Sequence, residues 1–127
     1  MKKYEELELD DGTIVRYKRH ENGGGMVATG ADVHPSAHIE ATAWVDPGAR
    51  VAPYAHLGAG CWVESGARIG EGASLATAVL VGSDAIIGEG ARIGSRTRIG
   101  TGARIRPGVT LRADSEVGAA VEVVRAA

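Results

Sequence analysis

Phenylalanine is absent from this chain, and the other aromatics amount to two Trp and three Tyr. An ordinary sandwich or α/β core relies on large side chains, so this scarcity points to a finely packed, repetitive interior. A single cysteine, Cys61, excludes an intrachain disulfide and any cysteine-based metal cluster. No apolar run approaches the roughly 20 residues needed to span a bilayer. The opening Met1-Lys2-Lys3-Tyr4-Glu5-Glu6 runs straight into acidic residues and lacks the apolar stretch of a signal peptide. These absences give the expectation of a soluble, cytoplasmic protein without a membrane partner. Net charge is also lacking: at −2 there is no global pull toward nucleic acid. No Lys/Arg groove with interleaved aromatics is present either, so no nucleic-acid partner is expected. With 127 residues the chain is one domain's worth.

What is present is glycine, 19 of them, and a period of six. Stepping by six from Val27 gives Val33, Ile39, Val45, Val51, Leu57 and so on to Val123. All 17 positions are Val, Ile or Leu, although these types fill only 27 of the 127 places. Two residues before each stands a small or β-branched residue, from Ala31 and Ala37 through Cys61 and Thr97 to Val121. A spacing of two puts both sets on one face of an extended strand. A period of six fits neither a 3.6-residue helix nor an alternating hairpin. It does fit a short strand followed by a tight turn. The third residue after each aliphatic is often Gly (Gly30, Gly48, Gly60, Gly66, Gly72, Gly90, Gly102, Gly108), which tolerates the positive φ of such a corner. Pro35, Pro47, Pro53 and Pro107 each fall just before it, where a fixed φ helps a turn.

This pattern, clearest in Ile87-Gly-Glu-Gly-Ala-Arg-Ile-Gly through Ile105, resembles the hexapeptide-repeat superfamily. The resemblance covers Val27 onward. It implies an all-β, left-handed parallel β-helix, three hexapeptides to a triangular coil, here about five and a half coils from the 17 repeats. The first 25 residues fall outside the repeat. Tyr4 to Leu9 and Thr13 to His20 are strand-like, with Asp10-Asp11-Gly12 as the turn between them. We read residues 1–25 as a β-hairpin cap with a flexible join at Glu21–Gly25, and 26–127 as the β-helix. The cap would protect the open edge of the first coil from pairing with another chain. A Tyr-containing hairpin followed by Gly-Gly-Gly also resembles uncharacterised bacterial members of the superfamily.

In an 18-residue coil, residues 18 apart stack on one outer face. Met26, Trp44, Trp62 and Leu80 form one such column, continued by Arg98 and Glu116. An exposed apolar stripe of this kind marks an interface. Relatives are commonly trimers packed through a β-helix face, so a homotrimer is the favoured state; the other reading folds the N-terminal hairpin over the tryptophans. His38 and His56 open a second column, followed by Ser74, Arg92 and Thr110, with His34 close in sequence. Grouped histidines raise a metal or general-base role, against a plain structural or interface role. Relatives of the γ-carbonic-anhydrase type hold zinc near an Arg-Gly-Asp segment followed by histidines. The nearest match here, Leu111-Arg112-Ala113-Asp114, has no histidine after it. No metal is therefore expected. Arg92, Arg98 and Arg104, in the arginine-rich stretch from Arg92 to Arg112, are anion-binding candidates or a solvated face. Cys61 occupies the small inward position and reads as a packed thiol.

Acyl transfer from acyl-CoA or acyl carrier protein is the commonest activity the resemblance implies, with a histidine base in a cleft between subunits and, usually, a loop extruded from the coil. No loop interrupts the phase here, and active sites concentrate in loops. The residues therefore favour a non-catalytic oligomerisation or binding module with no cofactor. The alternative is an acyl-CoA-dependent acyltransferase with His38 or His56 as base and the arginines holding the CoA phosphates.

Overall fold

A computed structural model describes residues 4–8 and 10–125; Leu9 lies outside the described residues. Strand β1 (Tyr4–Glu8) pairs antiparallel with β2 (Ile14–Arg19) across the turn at Asp10–Gly12, and β2 pairs antiparallel with β3 (Met26–Ala28). From there sixteen two-residue strands follow, from Asp32–Val33 to Glu122–Val123, each an outward residue and its inward aliphatic. Residues 18 apart pair in parallel register, Trp44 with Trp62 and Arg68 with Ile86 for example. Three parallel sheets result, and they are the three faces of a β-solenoid of more than five turns, consistent with the left-handed coil. No helix among the described residues is long and apolar enough to cross a membrane.

The outward residues define the faces. Face one carries Met26, Trp44, Trp62, Leu80, Arg98 and Glu116. Face two carries Asp32, Arg50, Arg68, Ile86, Arg104 and Glu122. Face three carries His38, His56, Ser74, Arg92 and Thr110. Inside, the aliphatics from Ile39 to Val117 and the small residues from Ala37 to Val109 form one continuous buried column. A large and a small residue alternate along each inward edge, which fills a narrow triangular section without aromatic rings. Thr97 is the one buried polar member among the described residues; its hydroxyl donates to the Arg112 carbonyl at 3.2 Å. Backbone amides tie each coil to the next, as from Arg68 to Ala85 at 2.8 Å.

All eight corner glycines named above have positive φ, from +66° to +95°. At the equivalent corners Tyr54, Ala78, Asp84, Arg96, Asp114 and Ala120 adopt the same left-handed conformation. The corner geometry is thus imposed by stacking and not by glycine alone.

The join at Glu21–Gly25 is not the flexible link that its glycines led us to expect. The Gly25 amide donates to the Ile39 carbonyl at 2.9 Å, and the Ile39 amide donates to the Asn22 carbonyl at 3.0 Å. A methyl group on Gly25 would stand 2.1 Å from Ile39 Cγ2, and one on Gly23 would stand 2.2 Å from the Ile39 oxygen. Here glycine serves close approach of two backbones. The hairpin itself continues face one only, and Val27, Ala31 and Val33 stay partly accessible at the mouth of the first coil.

Candidate functional site

The 18-residue register brings His38 and His56 onto adjacent strands of face three. Their rings stack with centroids 4.7 Å apart and planes within 4°. His38 is held on both sides. The Asn22 amide is oriented by its Nδ2 donating to the Ser36 carbonyl at 3.2 Å, which turns its Oδ1 toward His38 Nδ1, 3.0 Å away. His38 Nε2 lies 2.8 Å from Glu40 Oε1. Both nitrogens of His38 therefore face acceptors within the chain, and neither is turned toward a substrate. His56 is exposed, stacked on His38, and its nitrogens bond no group among the described residues. Of the two candidates, only His56 has ring nitrogens not engaged by a neighbouring group among the described residues.

The other histidines are absorbed into structure. His34 Nδ1 lies 2.8 Å from Ser36 Oγ, and His20 Nε2 lies 2.8 Å from the Ala37 carbonyl. Asn22 and Glu40 were missed by sequence reasoning. Glu40 could have been found two residues beyond His38, on the same side of an extended segment; Asn22 sits outside the repeat and carries no periodic signal.

The apolar stripe is shorter than its sequence column. Met26 is buried to 2 % exposure because β2 pairs over it, so it does not belong to an exposed interface. Tyr17 of β2 meets Trp44 edge-on at 4.9 Å, and Trp44 stacks on Trp62 at 5.5 Å. The hairpin thus takes the top of the stripe for itself. Trp62 and Leu80, each 37 % exposed, remain open.

Arg92, Arg98 and Arg104 are exposed, but they stand on faces three, one and two respectively. Successive strands run round the triangle, so sequence neighbours point in three directions and cannot converge on one anion within the chain. The arginines that do share an edge are Arg50 and Arg68 on adjacent strands of face two, beside His34 and Pro53 in a shallow depression. Arg96 forms a two-bond pair with Asp114 at 2.7 and 3.1 Å, which holds the Asp114 carboxyl below its usual range. Cys61 is fully buried, its thiol donating to the Ala76 carbonyl at 2.9 Å, and burial pushes its pKa up. Such a thiol is inert as a nucleophile.

Residues 78–113 match the family model for the bacterial transferase hexapeptide (six repeats). Among curated proteins no sequence matches the chain. Among solved structures, perosamine N-acetyltransferase from Caulobacter crescentus, a histidine variant in complex with CoA and GDP-perosamine, is 32 % identical with a TM-score of 0.75. That match covers 78 % of this chain and 47 % of the other. The acetyltransferase domain of PglB from Neisseria gonorrhoeae FA1090, in complex with acetyl coenzyme A, is 28 % identical with a TM-score of 0.51, covering 80 % and 49 %. The chain spans about half the length of each of these two structures. With its repeat and its stacked coils, the chain belongs to the bacterial transferase hexapeptide superfamily.

These likenesses correct the expectation of no cofactor, since both of these neighbours hold CoA or its acetyl ester. They also favour the acyltransferase alternative over the non-catalytic module. The inward repeat that led to the earlier expectation reports only on the core. A ligand binds to outward residues, on which an unbroken phase is silent.

Proposed function

We propose that this chain is an acyl-CoA-dependent acyltransferase that passes an acyl group to an amine on a small acceptor, in the manner of an amino-sugar N-acetyltransferase. The observation that carries the reading is the likeness to perosamine N-acetyltransferase with CoA bound, over 78 % of the chain. His56 is the general base. Its free nitrogen takes a proton from the acceptor amine as that nitrogen attacks the thioester carbonyl. The C–S bond then breaks, and the CoA sulfur leaves with the proton returned by the imidazolium. His38, clamped by Asn22 and Glu40, is a positioning residue that fixes the plane on which the His56 ring lies.

A subunit neighbour completes the site. Face one follows face three round each turn, so a second copy seated on Trp62 and Leu80 borders the edge that carries His56. A closed homotrimer in the cytoplasm, where acyl-CoA is made, fits this reading. Arg50 and Arg68 are better placed than Arg92, Arg98 and Arg104 to hold a phosphate together.

Thermal unfolding with and without acetyl-CoA tests the donor. At 100 times its dissociation constant the ligand adds about 2.7 kcal/mol to native stability. Release of free thiol from acetyl-CoA in the presence of nucleotide-linked amino sugars then tests the chemistry. His56→Asn should keep the thermal shift and lose thiol release by about 100-fold or more. Absence of any shift with acetyl-CoA and CoA would sink the assignment of the donor.

A further inference from the structure

We propose that His38, Glu40 and His56 bind one divalent transition-metal ion, with zinc as the type occupant. One donor atom from each of the three residues lies within 4.8 Å of the other two. The spacing explains why no sequence motif announces the site: the donors fall at i, i+2 and i+18, and only stacking of coils brings the third to the first two. All three belong to a single chain.

The strongest sign is the hydrogen bonding of His38. Its Nδ1 faces the Asn22 Oδ1, an acceptor fixed in place by the Asn22–Ser36 bond, so Nδ1 carries the hydrogen. The Nε2 lone pair is thereby aimed at Glu40 Oε1, 2.8 Å away, and a carboxylate oxygen is also an acceptor. Two lone-pair atoms at that separation need a positive centre between them, a proton or a metal ion. A ligating histidine usually donates its other ring N–H to a carbonyl or carboxylate oxygen, which fixes its tautomer. Asn22 supplies that partner.

Tetrahedral zinc holds nitrogen at about 2.0–2.1 Å and carboxylate oxygen at about 2.0–2.2 Å, which places donors roughly 3.3 Å apart. The His38–Glu40 separation must open by about half an ångström to reach this. His56 must turn out of its stack to bring a nitrogen in. His56 is exposed and Glu40 half-buried, so side-chain torsions suffice and the strand register can stay as it is. The nearest cation on this face, Arg92, stands two strands below His56. Two imidazoles and one carboxylate suit zinc, cobalt or nickel over magnesium or calcium. The fourth position is left for water or an exogenous ligand. A metal here engages the same His56 lone pair that serves as base, so metal and acceptor deprotonation exclude each other at this site. Metal binding itself does not rest on the acyltransferase reading, and is measured without it.

The test is calorimetric titration of the full, EDTA-treated and dialysed chain with zinc chloride, together with visible absorption on adding cobalt(II). The expected result is one ion per chain and the intense visible bands of four-coordinate cobalt. His56→Asn and Glu40→Gln should each weaken binding at least tenfold, and Asn22→Ala should weaken it by roughly 10- to 100-fold without removing a ligand. His34→Asn should leave it unchanged. No binding at millimolar zinc, or unchanged binding in both His56→Asn and Glu40→Gln, would overturn the proposal, and neither outcome bears on acetyl-CoA binding.

Discussion

Tyr17 and Trp62, 45 positions apart in sequence, reach the same carboxylate. The Tyr17 hydroxyl donates to Asp46 Oδ1 at 2.9 Å and the Trp62 indole N–H to Oδ2 at 2.8 Å. Asp46 therefore fastens the hairpin to the second and third coils, and Tyr17 adds an edge-on contact with Trp44. Burial first, then the hydrogen bond to Asp46 and its charge, push the Tyr17 phenol well above its ordinary value. A raised acid favours its neutral form in the fold. The contribution is intact below the unfolded value of about 10 and is lost above it, because the unfolded chain gives up its proton first. Unfolding temperature should therefore fall more steeply above about pH 10 in the wild type than in Tyr17→Phe. Parallel pH profiles for the two proteins would show that Tyr17 does not carry this dependence.

Each element of the solenoid is a two-residue strand with one residue out and one in. That alternation was fully legible in the sequence, because a period of six with an aliphatic at every step admits no other side for the core. The corners were half legible. Glycine at the third position after the aliphatic announced a positive φ, and the structure has it. A second set, Gly58, Gly70 and Gly82 among them, directly follows seven of the 17 aliphatics with φ outside the left-handed region. A methyl on Gly70 would stand 2.6 Å from the Glu89 amide nitrogen of the coil below. That requirement comes from the neighbouring coil and leaves no trace in a single repeat. The strand alternation is testable on one pair. Ile93 is 2 % exposed between Leu75 and Leu111, and Arg92 beside it points to solvent. Ile93→Asp should cost more than the 2–5 kcal/mol of truncating a buried isoleucine, since a carboxyl there has no partner. Arg92→Asp should stay within about 0.5 kcal/mol. Denaturant unfolding of both variants measures the difference, and similar midpoints would reverse the assignment of inside and outside.

At the scale of the molecule, what misled was sequence proximity. Arg92, Arg98 and Arg104 look like a patch and lie on three faces, whereas His38 and His56, 18 apart, share one column and touch. The rule that reads faces correctly is the stacking period, and it fails only where the hairpin adds strands of its own, as it does over Met26. The function lay further out of reach, because the core pattern says nothing about outward residues or about a neighbour that completes a cleft. In the proposed assembly the remaining exposed stripe, Trp62 and Leu80, is the seat for that neighbour. A large exposed apolar pair with a charged margin at Arg98 and Glu116 is the expected anatomy of an interface core and rim. Trp44 is a poor probe of it, since its loss would also release Tyr17. The more direct variant is Trp62→Glu with Leu80→Glu, which keeps the Tyr17–Trp44 contact and the Tyr17–Asp46 bond while giving up the Trp62 bond to Asp46. Sedimentation should give a trimer for the wild type and a folded monomer for the double variant, with the coil's thermal transition still cooperative. A wild-type monomer, or a trimer untouched by both charges, would move the subunit contact off face one and take the crevice beside His56 with it.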